Sequence, residues 1–345
     1  MGTRSGPDLE VVIPAHDAAL TLGRVLDALL PAAVGRILVV DAGSSDATAE
    51  LARSRGARVL RLETRQGPAA ARNAGVEATT AEVVLFLDAD CVAHPDVVER
   101  VRAAFGEDPE LAGLSGSYDD APAARGFYSQ YMNLRHHLTH QLARRDHATF
   151  WAGCGAVRRA PFLAAGGFDA ARYPRPQIED IELGLRLRRL GARLRLDPAL
   201  QVTHLKEWSM RSVLRTDLYD RALPWSALIL EHGELPTDLN LRASQRWAAV
   251  LAAPALAAPA LAVLAAVETS WPLGALTLAI LGASLAANRD LVTFFASRRG
   301  WGFALRAWLF HQVHLVLSAA AFLASWLRRP RSPRDLLLRT RSRSP

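Results

Sequence analysis

Lysine is nearly absent from this 345-residue sequence, where Lys206 stands alone beside 40 arginines. With so much alanine, that ratio reflects genomic base composition and carries no functional weight. Cysteine is equally scarce. Cys91 and Cys154 are far apart and lack the spacing of a zinc site, and both are expected to lie reduced in a cytosolic domain. The first ten residues have no apolar core of signal-peptide length, so export of the first domain is not expected. Charged side chains make up 22% of the chain and hydrophobic ones 50%, which excludes disorder throughout. Acidic residues nearly vanish after residue 240. Residues 241 to 345 hold 13 arginines against Glu268, Asp290 and Asp335, or +10. The net charge of +7 therefore leaves residues 1 to 240 with 28 basic and 31 acidic side chains, or −3. A nucleic-acid footprint would sit on the folded domain, so no nucleic-acid partner is expected.

What is present divides in two. Over the first 120 residues, short apolar runs at Leu9 to Ile13, Ile37 to Val40, Val59 to Leu62 and Val83 to Leu87 read as strands. Most are continuously apolar, as parallel strands covered on both faces are. Between them, Ala18 to Leu30, Thr48 to Arg55 and Pro68 to Ala78 read as helices, with Pro68 in a first turn and Asp46 as a cap. The pattern is α/β, built from βαβ units. Residues 1 to 240 form this cytoplasmic domain, whose last part, about 208 to 240, is expected to lie along a membrane surface.

Residues 241 to 330 carry three apolar segments, about 247–267, 271–290 and 304–327, with Trp and Arg at their flanks. About 20 apolar residues span a bilayer, so these read as transmembrane helices, the first kinked by Pro254 and Pro259. The loop 288–306 and the basic tail 331–345 both favour the cytoplasmic side. Three full spans cannot satisfy that. One segment is re-entrant or interfacial, or the tail breaks the rule.

In an open α/β sheet, ligands bind beyond the carboxyl ends of the strands. Asp17, Asp41, Asp88 and Asp90 all fall at such ends. Asp88 and Asp90, separated only by Ala89, would repel one another unless one were neutral or a cation lay between them. Hard oxygen ligands point to Mg²⁺ or Mn²⁺.

The residues now show a resemblance. The runs "VVIPAHD" at Val11 to Asp17, "VVDAGSSDAT" at Val39 to Thr48, "ARNAG" at Ala71 to Gly75 and "LFLDAD" at Leu85 to Asp90 resemble, in order, the nucleotide-sugar motifs of family 2 glycosyltransferases. The resemblance implies a GT-A catalytic domain, Rossmann-like with a mostly parallel sheet, followed by C-terminal transmembrane helices. It implies that Pro14, Asp17, Asp41, Arg72, Asn73 and Asp88 bind the donor, a nucleotide-sugar, UDP-linked by preference. Asp88 and Asp90 become the "DxD" pair, with His204 completing a Mg²⁺ or Mn²⁺ site. His204 by itself reads equally as a buried structural histidine. His16 and Ala42 depart from the family's usual Asn and second Asp.

"IEDIELGLR" at Ile178 to Arg186 resembles the family's Glu-Asp helix and makes Asp180 the general base, since an attacking hydroxyl must lose its proton as the bond forms. The plainer alternative is a charged helix start in which Glu182 pairs with Arg186. On the acceptor side, Gly153 and Gly155 resemble a flooring loop of the family, and Glu179, Trp208 and Trp225 are expected on the same side. "RALPW" at Arg221 to Trp225 is not the "QxxRW" of sugar-polymerising relatives, which favours single addition. The implied function is inverting transfer of one sugar to a lipid or lipid-linked acceptor at the bacterial inner membrane. A processive polysaccharide synthase and a non-catalytic membrane scaffold are the alternatives. The histidines at 136, 137 and 140 read as a solvated or membrane-facing helix, and His311 with His314 as a shared helix face.

Overall fold

A computed structural model describes residues 6–33, 35–146, 149–233 and 243–328. The chain divides into two compact units between Val213 and Leu214. The first is an α/β unit built on one eight-stranded sheet. Strands β1 (Leu9–Ala15), β2 (Ile37–Asp41), β3 (Arg58–Arg61) and β4 (Val83–Leu87) coincide with the four expected runs to within two residues. They are joined by helices α1 (Ala19–Ala33), α2 (Thr48–Ser54) and α3 (Pro68–Glu77). Beyond them come β5 (Cys91–Ala93), α4 (Val97–Glu107), β6 (Leu111–Tyr118), α5 (Phe127–Leu142), β7 (Cys154–Arg158), α6 (Arg159–Ala164), α7 (Glu179–Arg189) and β8 (Arg193–His204).

The sheet order is β3-β2-β1-β4-β7-β6-β8-β5. The four consecutive strands β3, β2, β1 and β4 run parallel, as do β6 and β8, while β7 is antiparallel to both its neighbours and β5 to β8. The continuous apolar runs are explained by burial on two faces. Val11, Ile13, Val39 and Leu85 pack on one side against Leu22, Leu26 and Val101 of α1 and α4. Val12, Val40, Val84 and Phe86 pack on the other against Ala71, Val76, Leu183 and Leu187 of α3 and α7. Each such fully buried side chain contributes roughly 1.5–3 kcal/mol. Gly75 is required where α3 crosses β1, because a Cβ there would collide with Val12 Cγ1. Asp46 accepts from the backbone N–H of Thr48 and of Ala19, both at 3.0 Å, and so ties the starts of two helices.

The expected solvated histidine helix is corrected. His137 and His140 on α5 are buried, His137 Nδ1 lies 2.8 Å from the Tyr118 carbonyl oxygen, and His140 packs on Trp151. Their ring nitrogens and flat faces suit a packed polar seam as well as a wet surface. Sequence periodicity does not separate the two.

A short helix, α8 (Met210–Arg215), carries the chain across the boundary between the units, and the second unit is helical. It holds a π-helix (Thr216–Ala222), α9 (Leu223–His232), α10 (Ala243–Val267), α11 (Trp271–Ala287), α12 (Arg289–Arg299) and α13 (Trp301–Arg328). Residues 234–240 of the expected interfacial segment and the basic tail 331–345 lie outside the described residues. Ser244–Val267 and Trp301–Arg328, with mean hydropathies of 2.3 and 1.5, are long and apolar enough to cross a membrane. The helix α10 runs continuously through Pro254 and Pro259. The second expected segment ends earlier than anticipated, where α11 and α12 meet at an angle of 74°. The break has a local cause: Asn288 turns its side-chain amide back onto the Ser284 carbonyl at 2.9 Å, competing with the helical ladder. Buried Ser284 also bonds Gln312 of α13 at 3.2 Å, so the apolar helices are stitched by a polar contact. His311 and His314 stack, and His314 Nδ1 lies 2.9 Å from Asp217 Oδ2 on the π-helix, which gives the polar residues of that apolar segment partners within the unit.

Candidate active site

The parallel strands deliver their carboxyl ends to one rim of the sheet, with Ala15 opposite Asp41. Asp17 follows in the left-handed region at φ 46°, a conformation costly for a residue with a Cβ and held by its surroundings. Its carboxylate accepts from Ser45 N–H at 2.8 Å, and its own N–H donates to Ser44 Oγ at 3.0 Å. The Ser45 backbone N–H is the main influence holding this carboxyl below its ordinary range. Asp41 is fully buried, and its Oδ1 accepts from Ser44 N–H at 2.9 Å. Asp41 Oδ2 has no hydrogen bond, and Arg61 Nε lies 3.6 Å away. An orphaned buried acceptor is costly, which marks this oxygen as one awaiting a donor. Pro14 is half-buried just before this rim.

At the end of β4 the aspartates diverge. Asp88 Oδ1 accepts from Arg72 Nη2 at 2.7 Å, and Arg72 Nη1 reaches Glu179 at 3.0 Å. Burial raises the Asp88 carboxyl, Arg72 opposes this and Asp90 adds to it. Asp90 goes the other way: burial disfavours its charge, but the His204 ring and Lys206 outweigh burial and hold it low. Both side chains keep about a third of their surface exposed, 33% and 32%, so a cation from solvent can reach them.

Asp90 Oδ2 lies 3.3 Å from His204 Nε2, and Asp90 Oδ1 lies 3.8 Å from Cys91 Sγ. His204 is positioned by three contacts: strand pairing of β8 with β5, a stack on Tyr118 at 4.4 Å, and Asn133 Oδ1 at 2.7 Å from its Nδ1. With Nδ1 as the donor to Asn133, Nε2 is the ring atom facing the carboxylate, where a proton or a metal ion can lie between them, and the oxygen and nitrogen donors suit a divalent cation.

Arg72 is the buried clamp of this region. Its Arg72→Ala variant would strand Glu179 and Asp88 without a counter-charge, with an expected loss of roughly 3–5 kcal/mol in unfolding of the purified chain. A loss under about 1 kcal/mol would show that the pair is dispensable. Asn73 spends its amide on the backbone of Phe168, donating to its carbonyl at 2.8 Å and accepting from its N–H at 2.9 Å. In this structure Asn73 braces a loop.

Helix α7 begins with the two acidic residues. Glu182 and Arg186 form the bidentate pair that a charged helix start requires, both contacts at 2.7 Å, while Glu179 turns to Arg72. Asp180 takes neither role. Its Oδ2 accepts from Ala152 N–H at 3.1 Å, beside the Gly153 loop, and it keeps part of its surface exposed. Burial, then the neighbouring Glu179 charge, push its carboxyl up to about 7. Gly184 makes this approach possible, since a Cβ there would collide with the Phe150 backbone nitrogen. Gly153 and Gly155 are equally constrained, facing the Trp151 indole and the Trp151 carbonyl oxygen. The Gly153 carbonyl accepts from Asp88 N–H at 3.3 Å, which joins this loop to the aspartate pair.

Trp208 is buried, its indole Nε1 has no hydrogen-bond partner, and Lys206 lies 4.1 Å above its ring. Trp225 stands on α9 in the second unit. Cys154 is buried and its thiol is pushed up to about 12 by burial and then by Asp88, which removes it as a nucleophile. Asn133, Gly184, Ala152, Lys206 and Cys91 were not among the expected site residues. Only Cys91, adjacent to the aspartate pair, had a signal in the sequence.

The chain is similar to known proteins in sequence and fold. The family model Glycosyl transferase family 2 matches residues 10–165. The chain is 32% identical over 145 residues to the glycosyltransferase AglE of Haloferax volcanii, a match covering 39% of this chain and 48% of AglE. It is 30% identical over 226 residues to the pre-mycofactocin glycosyltransferase of Mycobacterium tuberculosis, covering 60% of this chain and 46% of that protein. The chain thus spans about half the length of these curated relatives. Among solved structures, the mannosyltransferase PcManGT of Pyrobaculum calidifontis, in complex with GDP-Man and Mn²⁺, superposes with a TM-score of 0.61 at 21% identity, over 94% of this chain and 89% of its own. The fold is that of the GT-A glycosyltransferases. Over residues 10–165 the chain is thus similar to glycosyltransferase family 2.

Proposed function

We propose that the chain transfers a single sugar, with inversion, from a UDP-linked donor to a lipid-linked acceptor at a membrane. The observation that carries this reading is Asp180: a carboxyl held by Ala152, raised to about 7 and reachable from solvent, beside the loop that bonds the Asp88 backbone. A base whose pKa lies near the working pH pulls strongly on the proton while a substantial fraction of it remains ionised. Asp41 Oδ2, an acceptor without a donor, suits a base N–H such as that of uracil. Asp17 is set beside it on the same rim. Asp90 and His204, with Asp88 nearby, would hold Mg²⁺ or Mn²⁺, which when bound neutralises charge on the departing diphosphate. Arg72 keeps Asp88 oriented and balances Glu179. Gly153, Gly155 and Trp208 would line the acceptor side.

The membrane assignment is supported by α10 and α13, and the arginine bias favours a cytoplasmic catalytic domain at a bacterial inner membrane. A lipid-linked acceptor follows from an active domain tethered where such acceptors lie. The test is thermal stabilisation by a panel of nucleotides with and without Mn²⁺, followed by turnover with lipid extract. A nucleotide at about a hundredfold excess over Kd is expected to add roughly 2.7 kcal/mol, with UDP strongest and dependent on Mn²⁺. Products longer by several sugars would establish a processive synthase instead. Silence toward every nucleotide would leave a scaffold.

A further inference from the structure

Cys91 faces His204 directly across the β5–β8 pair, on the same side of the sheet. Asp90, Cys91 and His204 each offer one ligand atom, and the three atoms lie within 4.8 Å of one another. The carboxylate meets the two side chains through different oxygens, Oδ2 at 3.3 Å from the nitrogen and Oδ1 at 3.8 Å from the sulfur. Ligand atoms on one tetrahedral zinc ion stand about 3.3 Å (nitrogen to oxygen) and about 3.6 Å (sulfur to oxygen) apart, a spacing this set reaches if the carboxylate turns or binds through both oxygens. With Nδ1 turned to Asn133, Nε2 is the ring nitrogen left to take a metal, any proton on it being released as the ion binds. Cys91 itself is fully buried, so an ion reaches its sulfur only by way of the partly exposed Asp90.

We propose that Cys91 is a third protein ligand, making a mixed Asp90–Cys91–His204 site that takes a thiophilic divalent ion of the Zn²⁺ class in competition with Mg²⁺ or Mn²⁺. It rests on the reading of Asp90 and His204 as the cation site. Mg²⁺ and Mn²⁺ favour oxygen ligands and gain little from sulfur, whereas Zn²⁺, Cd²⁺ and Co²⁺ gain a strong bond. As the metal–sulfur bond forms, the thiol proton passes to solvent. The plainer role for a buried cysteine is a small apolar filler, and the two roles differ in a spectroscopic readout.

Co²⁺ added to the full-length, untagged protein without nucleotide is expected to give a sulfur-to-metal charge-transfer band. Cys91→Ser should abolish the band and Cys154→Ser should keep it. Cys91→Ser should also weaken Zn²⁺ binding by about 10- to 100-fold while moving Mn²⁺ affinity less than about threefold. Should Cys91→Ser fail to fold, X-ray absorption of the Zn²⁺-loaded wild type should find a sulfur neighbour at about 2.3 Å. A first shell of oxygen and nitrogen alone, or equal Zn²⁺ affinity in Cys91→Ser, overturns the proposal while leaving the Mn²⁺ site standing. Absence of Mn²⁺ and Zn²⁺ binding alike in the wild type overturns both.

Discussion

Asp180→Asn is expected to lower turnover by about 10²- to 10⁴-fold while leaving Mn²⁺-dependent nucleotide affinity nearly unchanged. The substitution is close to isosteric, and the amide oxygen can still accept from Ala152 N–H, so the loop beside Gly153 should stay in place. What disappears is the proton acceptor. The wild-type pH profile carries the same information with a definite sign. A raised pKa means that Asp180 holds its proton at pH values where an ordinary aspartate has lost it, and a protonated carboxyl cannot serve as a base. Log kcat/KM should therefore fall with unit slope as pH drops below about 7, the value to which burial and Glu179 push this group. The residual activity of Asp180→Asn should lack that limb. Turnover within about threefold of wild type, or an unaltered acid limb in the variant, would remove Asp180 from the chemistry.

Asp90→Ala is expected to abolish the metal-dependent part of nucleotide binding, by at least about 100-fold in Mn²⁺ affinity. Its carboxylate is the member of the pair held ionised, and it shares its place with the His204 ring at 3.3 Å. Asp88 is a poorer substitute, since its Oδ1 is already committed to Arg72 at 2.7 Å. Calorimetric titration of UDP with and without Mn²⁺ separates the terms: base recognition at Asp41 should survive while the Mn²⁺ increment vanishes. Nucleotide binding with undiminished Mn²⁺ dependence in Asp90→Ala would move the cation elsewhere. Comparison with Arg72→Ala is informative, because that change acts through stability and charge balance while leaving Asp90 and His204 intact.

Much of this was legible in one dimension. Runs such as Val83 to Leu87 are apolar without alternation because both faces of β4 are covered, and the parallel order follows from short strands separated by helices. Acidic residues at strand ends fall on one rim because parallel strands share a direction. Other features depend on partners far along the chain. Glu179, Asp180 and Glu182 are equivalent in sequence as three acids of one helix start, yet each has a different partner: Arg72, Ala152 N–H and Arg186.

By itself, then, the sequence determined the α/β class, the order of the nucleotide-sugar motifs, the apolar segments and the candidate carboxylates, because periodicity, composition and spacing are local properties. The tertiary structure alone decided which carboxylate is clamped, which is raised to about 7, that His204 and Cys91 meet Asp90, and that the chain turns by 74° at Asn288. Those outcomes rest on burial and on contacts between residues distant in the chain, and charge in a protein interior is governed by such neighbours.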